Sequence, residues 1–205
     1  MVSAVSIRQQ QKDETRAKIF AAATQLFAQN GYHATTTADI AKAAGVAKGT
    51  FFVHFPSKDA VITALVRIQT GAARKARLAA LERFGPVVAL REAVMTLGER
   101  AGVSRTLSRG VLAATLESQD LGGQTSEMFD QLFAEMKEDA RLAKKQKLLE
   151  RATDPDVLAA SLMASYLGAV LHFTSSPKAP PLLDILDPLV KANIANAARG
   201  TRRRK

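Results

Sequence analysis

The sequence contains no cysteine, and this absence excludes several kinds of chemistry. Disulfide bonds and thiolate nucleophiles are not available, and such a composition suits a reducing compartment. No apolar run approaches the length of about 18 residues that is needed to cross a bilayer, and no hydrophobic segment follows the N-terminus as in a signal peptide. The sequence therefore predicts a cytoplasmic protein that makes no use of a membrane.

Motifs of common enzymes are also missing. There is no Gly-x-Ser-x-Gly turn and no glycine-rich phosphate loop. The three histidines, His33, His54 and His172, lie far apart and lack the spacing of metal ligands. We therefore predict no catalytic residue, no cofactor and no metal site.

Positive charge is abundant and unevenly distributed. The chain has 29 Lys and Arg against 19 Asp and Glu, a formal net charge of +10, and its pI is about 10.1. Residues 1–77 hold 11 of the basic and only 4 of the acidic residues, whereas the remainder is nearly neutral. A basic N-terminal third on a neutral body is typical of a protein that binds a polyanion. A solvated basic face has the same composition, so charge alone does not choose between the two.

Local signals divide the N-terminal third into helices. A first helix is predicted from Asp13, as N-cap, to Asn30, and Gly31 fits the left-handed position that follows a helix. In the stretch TTTADIAKAAG, Thr36 and Asp39 have the spacing of a capping box, so a short helix is expected to begin there and to end at Gly45.

A second short helix and a long one follow. The second helix is predicted over residues 48–54, closed by Pro56, and Ser57 is expected to cap a long helix that continues into the eighties. Two short helices joined by a tight turn at a glycine predict a helix-turn-helix.

The second short helix has an inward and an outward side. Phe51 and Phe55 lie four residues apart, so they share the face expected to pack in the core with Ile40, Ala41 and Ala44. The outward positions are Lys48, Gly49, Phe52 and Val53, with Thr50 and His54 at the flanks. A helix of this kind fits the major groove of DNA. The alternative is a small three-helix core with solvated lysines.

Residues 15–61 resemble the N-terminal domain of the TetR (tetracycline repressor) family. The matching features are the alanine-rich first helix, Gly31-Tyr32, the threonine run, Ile40-Ala41, Ala44-Gly45-Val46, Lys48-Gly49-Thr50, and His54-Phe55 with Lys58. The resemblance implies a homodimeric regulator that binds a double-stranded DNA operator and has an all-helical ligand-binding domain. By position, the family's DNA contacts fall on Thr36, Thr37, Lys48, Gly49, Thr50, Phe52, Val53, His54 and Lys58.

Two positions depart from the family pattern. Ala47 stands where the family often has serine or threonine, so it lacks a side chain that can cap the following helix. Phe52 stands where the family usually has tyrosine, so it has no hydroxyl to offer a phosphate. Both changes remove polar contacts and neither disturbs the predicted fold.

The rest of the chain is predicted to be helical as well, which gives an all-α fold. Five segments are expected, punctuated by proline and glycine: 87–101, 104–118, 124–151, 155–173 and 182–199. The domain boundaries that follow are 1–60 for the helix-turn-helix domain, 61–199 for a helical regulatory and dimerisation domain, and 200–205 for a disordered basic tail.

The segment at 155–173 is apolar nearly all round, as in a helix buried on several sides. Ala160, Ala164 and Gly168 recur every four positions, which permits close approach of another helix. The resemblance implies that the last two helices form a four-helix bundle with the partner subunit. The alternative is the internal core of a monomer.

Two further interpretations concern the C-terminal body. Seven residues are candidates for lining a pocket for a small, largely apolar effector, although each alone is more often an ordinary core residue: Met95, Phe129, Phe133, Met136, Met163, Tyr166 and His172. The acidic residues Glu135, Glu138 and Asp139 lie among lysines and arginines, which predicts an exposed, salt-bridged helix.

The function predicted from the sequence is a dimeric transcriptional regulator, a repressor that binds a palindromic operator and responds to a small molecule. The alternative is a DNA-bound structural or scaffolding protein that uses the same dimer to organise DNA or to recruit a protein partner.

Overall fold

The computed structural model describes the backbone of residues 4–198 and the side chains of residues 7–198. Within this range nine helices form, and the predicted all-α fold is confirmed. They are α1 (Ala4–Asn30), α2 (Thr37–Ala43), α3 (Lys48–His54), α4 (Lys58–Phe84), α5 (Pro86–Gly102), α6 (Arg105–Glu117), α7 (Gln119–Lys145), α8 (Pro155–Ser175) and α9 (Leu182–Ala197). The predicted tail at 200–205 lies outside the described residues.

The chain forms two compact units. The N-terminal unit contains the residues up to Leu65 together with Thr106–Gly122, and the C-terminal unit contains Val66–Arg105 and the residues from Gly123 onward. Helix α4 therefore contributes its first two turns to one unit and its remainder to the other. The domain boundary predicted at residue 60 stays a prediction, and the segment 106–122 had no sequence signal that associated it with the N-terminal residues.

The core of the N-terminal unit is built from the apolar faces of its short helices. Ile40, Phe51 and Phe55 are buried, as predicted, whereas Ala44 is half-buried. Gly31 and Gly45 have φ angles of 86° and 68°, the left-handed conformation that glycine adopts at the end of a helix without a steric penalty. The chain can therefore turn sharply after α1 and after α2.

Two helices differ from the predicted bounds by more than two residues. Helix α1 begins at least nine residues before Asp13, whose carboxylate accepts a hydrogen bond from Gln9 within the helix instead of capping it. Good helix-forming residues precede Asp13, so nothing in that stretch ends the helix. Helix α7 begins at Gln119 and passes through the glycine pair expected to break it, and it ends at Lys145, before Lys147 with its φ of 60°.

The core of the C-terminal unit lies between α5, α7, α8 and α9. Its fully buried side chains include Leu90, Leu97, Leu132, Met136, Leu162, Leu186 and Val190. At Gly98 a Cβ atom would lie 2.5 Å from Cδ2 of Leu186, so the glycine allows α5 and α9 to approach closely. Helix α8 contributes a buried face to this core, as its apolar sequence predicts, and that face includes Leu158, Leu162 and Phe173.

By length and composition alone, α8 resembles a membrane-spanning helix. It has 21 residues and a mean hydropathy of 1.6 in its most apolar window, contrary to the expectation that no segment of this chain would reach that range. Its buried side chains belong to the core of the C-terminal unit, where an apolar helix is required for a different reason.

Candidate nucleic-acid interface

Helix α3 presents a solvent-exposed face that contains large apolar side chains. Phe52 is 47% exposed and Val53 is 73% exposed, and Lys48 and Gly49 next to them are exposed as well. Thr50 and His54 are half-buried at the flanks of this face. A cation, a glycine that permits close approach, and apolar groups suited to a thymine methyl form a surface that matches a major groove. We call these four exposed residues the α3 face.

The opposite side of α3 is fixed by packing. Phe51 and Phe55 are buried, with ring centroids 6.2 Å apart. The guanidinium of Arg16 in α1 lies 4.0 Å from the centroid of the Phe55 ring and donates a hydrogen bond to the backbone oxygen of His54. Arg16 therefore ties the end of α3 to α1, which keeps the α3 face in a fixed orientation.

The caps of α2 and α3 differ as the sequence predicts. Thr36 Oγ1 accepts a hydrogen bond of 3.2 Å from the Asp39 amide, and Asp39 Oδ2 accepts one of 3.0 Å from the Thr36 amide. These bonds form the predicted capping box, and the bonds from the Thr36 hydroxyl and amide hold the pKa of Asp39 below its ordinary value. Ala47 makes no side-chain bond at the start of α3. Thr36 is exposed and Thr37 half-buried, so a partner can reach Thr36 more readily than Thr37.

The ammonium group of Lys58 is hydrogen-bonded within its own chain. Its Nζ atom donates to the backbone oxygens of Tyr32, at 2.9 Å, and of Thr35, at 3.2 Å, and lies 4.2 Å from the centroid of the Tyr32 ring. Tyr32 is buried and donates its hydroxyl to Asp59. The pKa of Tyr32 is raised above its ordinary value, mainly by burial and secondly by this hydrogen bond to Asp59. Lys58 thus holds the loop between α1 and α2 against the start of α4.

The two lysines predicted to contact DNA should therefore behave differently. Lys48→Ala is expected to leave the melting temperature unchanged. It should lower the steepness with which the logarithm of DNA affinity falls against the logarithm of salt concentration by about 0.9, the contribution of one neutralised phosphate. Lys58→Ala is expected to destabilise the fold by about 1–3 kcal/mol, because two backbone oxygens lose their donor. Thermal unfolding and binding titrations at several salt concentrations measure both quantities. If Lys58→Ala melts at the same temperature as the unmodified protein, Lys58 does not stabilise the fold. If Lys48→Ala keeps the salt dependence of the unmodified protein, Lys48 does not contact a phosphate.

Phe52 offers a second test of the α3 face. Because the ring is about half exposed, Phe52→Tyr should not disturb the fold, and its new hydroxyl can bond a phosphate oxygen. A hydrogen bond to a charged group contributes about 1.5–3 kcal/mol before the loss of bound water, so operator affinity should rise several-fold with unchanged sequence preference. Phe84→Tyr is the matched control, since Phe84 is 62% exposed at the far end of α4. A Phe52→Tyr protein that melts earlier and binds no tighter would contradict the outward placement.

The seven residues predicted to line an effector pocket are only partly brought together. Met95, Met136, Met163 and Tyr166 are buried in the core of the C-terminal unit, and Phe129 and Phe133 pack against it. Burial raises the pKa of Tyr166 above its ordinary value. His172 is exposed and lies outside this cluster, because its position on α8 faces away from the core. The apolar pocket remains a prediction.

Several residues that shape the interface were not anticipated. Arg16 and Asp59 support α3 and Tyr32 across 38 and 27 residues of sequence, respectively. Gly110 of α6 lies against Tyr32, so that a Cβ atom there would be 2.9 Å from the Tyr32 Cβ. The imidazole of His54 has a buried Nδ1 atom without a hydrogen-bond partner among the described residues. None of these contacts has a local sequence signal, since each depends on the folded arrangement.

Comparison with known proteins agrees with this geometry. Residues 19–65 match the family model for bacterial regulatory proteins of the TetR family. The uncharacterized HTH-type transcriptional regulator YuxN of Bacillus subtilis is 42% identical over 48 residues, which cover 23% of this chain and 16% of YuxN. The nucleoid occlusion factor SlmA of Enterobacter sp. is 27% identical over 159 residues, which cover 75% of this chain and 79% of SlmA.

The fold is shared over nearly the whole length. The structure of FadR from Thermus thermophilus, a TetR-family transcriptional repressor in complex with lauroyl-CoA, superimposes with a TM-score of 0.63 at 23% identity and covers 93% of this chain and 99% of that protein. This likeness shows the architecture, and the matched model shows the helix-turn-helix. With its α3 face, its capping box and the matched residues 19–65, the chain carries the N-terminal helix-turn-helix domain of the TetR family of bacterial regulatory proteins.

Proposed function

We propose that this protein is a dimeric transcriptional repressor that binds a palindromic DNA operator in the cytoplasm and is released by a small-molecule effector. The observation that carries the proposal is the α3 face, where Phe52 and Val53 are exposed beside Lys48 and Gly49. Exposed apolar groups of this size on a rigidly anchored helix suit a partner surface. The major groove offers thymine methyl groups for Phe52 and Val53 and adjacent phosphates for Lys48.

A face on α8 that no other described residue covers supports the dimer. Val157, Leu167 and Leu171 are each more than half exposed, and Ala160, Ala164 and Gly168 on the same side are exposed as well. Helix α9 lies beside α8, since Asn193 donates to the Ser165 hydroxyl at 3.0 Å, and it adds the exposed Leu189. A face of small and apolar residues permits close packing against the same face of a second copy of the chain. A palindromic operator requires such two-fold symmetry in the protein that binds it.

The test is selection of bound DNA by the purified protein. We expect enrichment of one inverted repeat whose half-sites lie about one helical turn apart, roughly 34–36 Å. Genes beside that sequence then give the regulated promoter. Recovery of random sequence, with an affinity that depends on salt alone, would contradict sequence-specific regulation.

A second candidate is a DNA-bound structural or scaffolding protein, which would occupy many dispersed chromosomal sites. It is favoured by the similarity to the nucleoid occlusion factor SlmA, which extends over 75% of this chain, whereas the match to YuxN covers 23%. Mapping occupancy along the chromosome separates the two candidates. A repressor should occupy one or a few promoters, and a dispersed factor should occupy many sites regardless of promoters.

A further inference from the structure

The C-terminal unit contains a pocket of about 370 Å³ between α4 and α7, and its lining includes none of the seven residues predicted to bind an effector. Its walls are mostly polar. Arg67, Gly71 and Arg74 line it from α4, and Gln124, Glu127 and Gln131 line it from α7, with Met128 as a large apolar contributor. A volume in this range is that of a small-molecule site. Its lining does not suit an apolar molecule, because the arginine and carboxylate groups would lose water without gaining partners.

The two arginines differ in what they already bind. Within residues 7–198, no carboxylate lies at ion-pair distance from Arg67, which is exposed. Arg74 donates from Nε and Nη2 to the same oxygen of Glu135, the Nε bond being 2.8 Å, so its Nη1 atom is not used in this pair. Planar guanidinium groups bind carboxylates and phosphates through paired hydrogen bonds. Arg67 and the free edge of Arg74 are therefore suited to one anionic group.

We propose that this pocket is the effector site, and that its ligand is a compact hydrophilic molecule which carries a carboxylate or phosphate held by Arg67 and Arg74. The amides of Gln124 and Gln131 and the carboxylate of Glu127 bind the hydroxyl or amino groups of the same molecule. Only the role of the ligand as an effector rests on the proposed function, since the anion-binding site itself is inferred from the lining of the pocket.

Occupancy of the pocket has a consequence for α4. Glu135 contacts both Arg74 and Arg77, and Arg77 forms a buried pair with Asp139 at 2.7 Å. An anion bound at the free edge of Arg74 competes with Glu135 for the same guanidinium and weakens the pair between Arg74 and Glu135. The ion pairs that hold α4 to α7 within this unit are thereby rearranged, and α4 is the helix that continues into the N-terminal unit.

Methionine methyl NMR locates the site directly. The chain has five methionines, of which Met128 lines the pocket, and its signal is assigned with Met128→Leu. The full chain is titrated without DNA, using inorganic phosphate, citrate and glucose 6-phosphate, with glucose as the uncharged counterpart of the last. We expect a saturable shift of the Met128 methyl with at least one anion and none with glucose. If none of the three anions shifts Met128 at millimolar concentration, or if glucose binds as well as glucose 6-phosphate, the assignment is wrong.

Matched variants distinguish binding of the anion in this pocket from nonspecific attraction to the positively charged surface. Arg67→Gln should weaken binding of the anion roughly tenfold or more. Lys75→Gln removes one positive charge from an exposed position on the same helix, outside the lining, and should change it little. Gly71→Leu keeps every charge and fills the pocket, since a Cβ there meets nothing within 4 Å, and should abolish the shift. Equal losses in the Arg67 and Lys75 variants would overturn the proposal.

Operator affinity is measured separately, with and without the bound anion. A ligand that weakens DNA binding must itself bind the DNA-bound protein less tightly by the same factor. We expect this reciprocal loss. If the anion shifts Met128 but has equal affinity for free and DNA-bound protein, the effector role is overturned while the binding site stands. If the parent protein selects no DNA sequence, the proposed function fails, and the Met128 titration is unaffected.

Discussion

Replacing Gly168 with leucine is expected to leave the folded monomer intact and to abolish the proposed dimer. Gly168 is exposed on α8, and a Cβ atom built there meets nothing within 4 Å in its own chain. Within the monomer the change should raise helix stability by roughly 1 kcal/mol, because glycine is a poor helix former. Against a second copy, the leucine side chain forces the two α8 helices apart.

The loss of the dimer should have a large effect on DNA binding. Two linked half-site contacts gain about 10²–10⁴ in affinity over one, so operator binding should fall by roughly that factor. Light scattering measures the mass, and a gel or fluorescence titration measures operator affinity. The matched control is Gly123→Leu, since Gly123 is also helical, exposed and unopposed. A Gly168→Leu protein that remains dimeric at micromolar concentration would exclude α8 from the interface.

Replacing Asp139 with alanine is expected to be strongly destabilising. Asp139 and Arg77 are 3% and 6% exposed, and their 2.7 Å bond joins α4 to α7. Burial raises the pKa of Asp139, an effect that Arg77 partly counteracts. Removing the carboxylate leaves the buried guanidinium of Arg77 with only the longer contact to Glu135, at 3.2 Å, and its Nε atom already has no partner among the described residues. Breaking such a buried pair costs about 3–5 kcal/mol.

The effect should be plain in thermal unfolding. For a chain of this size the melting temperature should fall by on the order of 10 °C. Glu138→Ala is the control, because Glu138 is the adjacent residue on α7 and its exposed pair with Arg141 should contribute less than about 1 kcal/mol. The double variant Arg77→Met with Asp139→Leu should recover most of the stability. Equal melting temperatures for Asp139→Ala and Glu138→Ala would show that burial of the pair does not govern its strength.

The contrast between Glu138 and Asp139 shows where the sequence-based prediction was wrong. Both lie in a charged stretch that predicts an exposed, salt-bridged helix, and Glu138 fits this prediction through its 2.7 Å pair with Arg141. Asp139 is one position further round α7 and pairs with a residue 62 positions away. No pattern within the stretch distinguishes the two carboxylates, because only the packing of α4 against α7 determines which of them is buried.

The sequence by itself determined the helix-turn-helix. The bounds of α3, the capping box at Thr36 and Asp39, the inward Phe51 and Phe55 and the missing cap at Ala47 were all predicted. These features depend on caps, glycines and side-chain spacing within a few residues, so they can be identified without the rest of the molecule.

Only the tertiary structure decided which groups remain available to a partner. Lys58 has the residue type and position of a phosphate contact, yet its ammonium is bonded to backbone oxygens 23 and 26 residues earlier. The polar pocket likewise depends on α4 and α7 meeting along Arg67, Arg74 and Gln131. The physical reason is the same in both cases: a charged side chain bonds whatever acceptor the fold brings near it, and contacts between distant segments leave no periodic signal in the sequence.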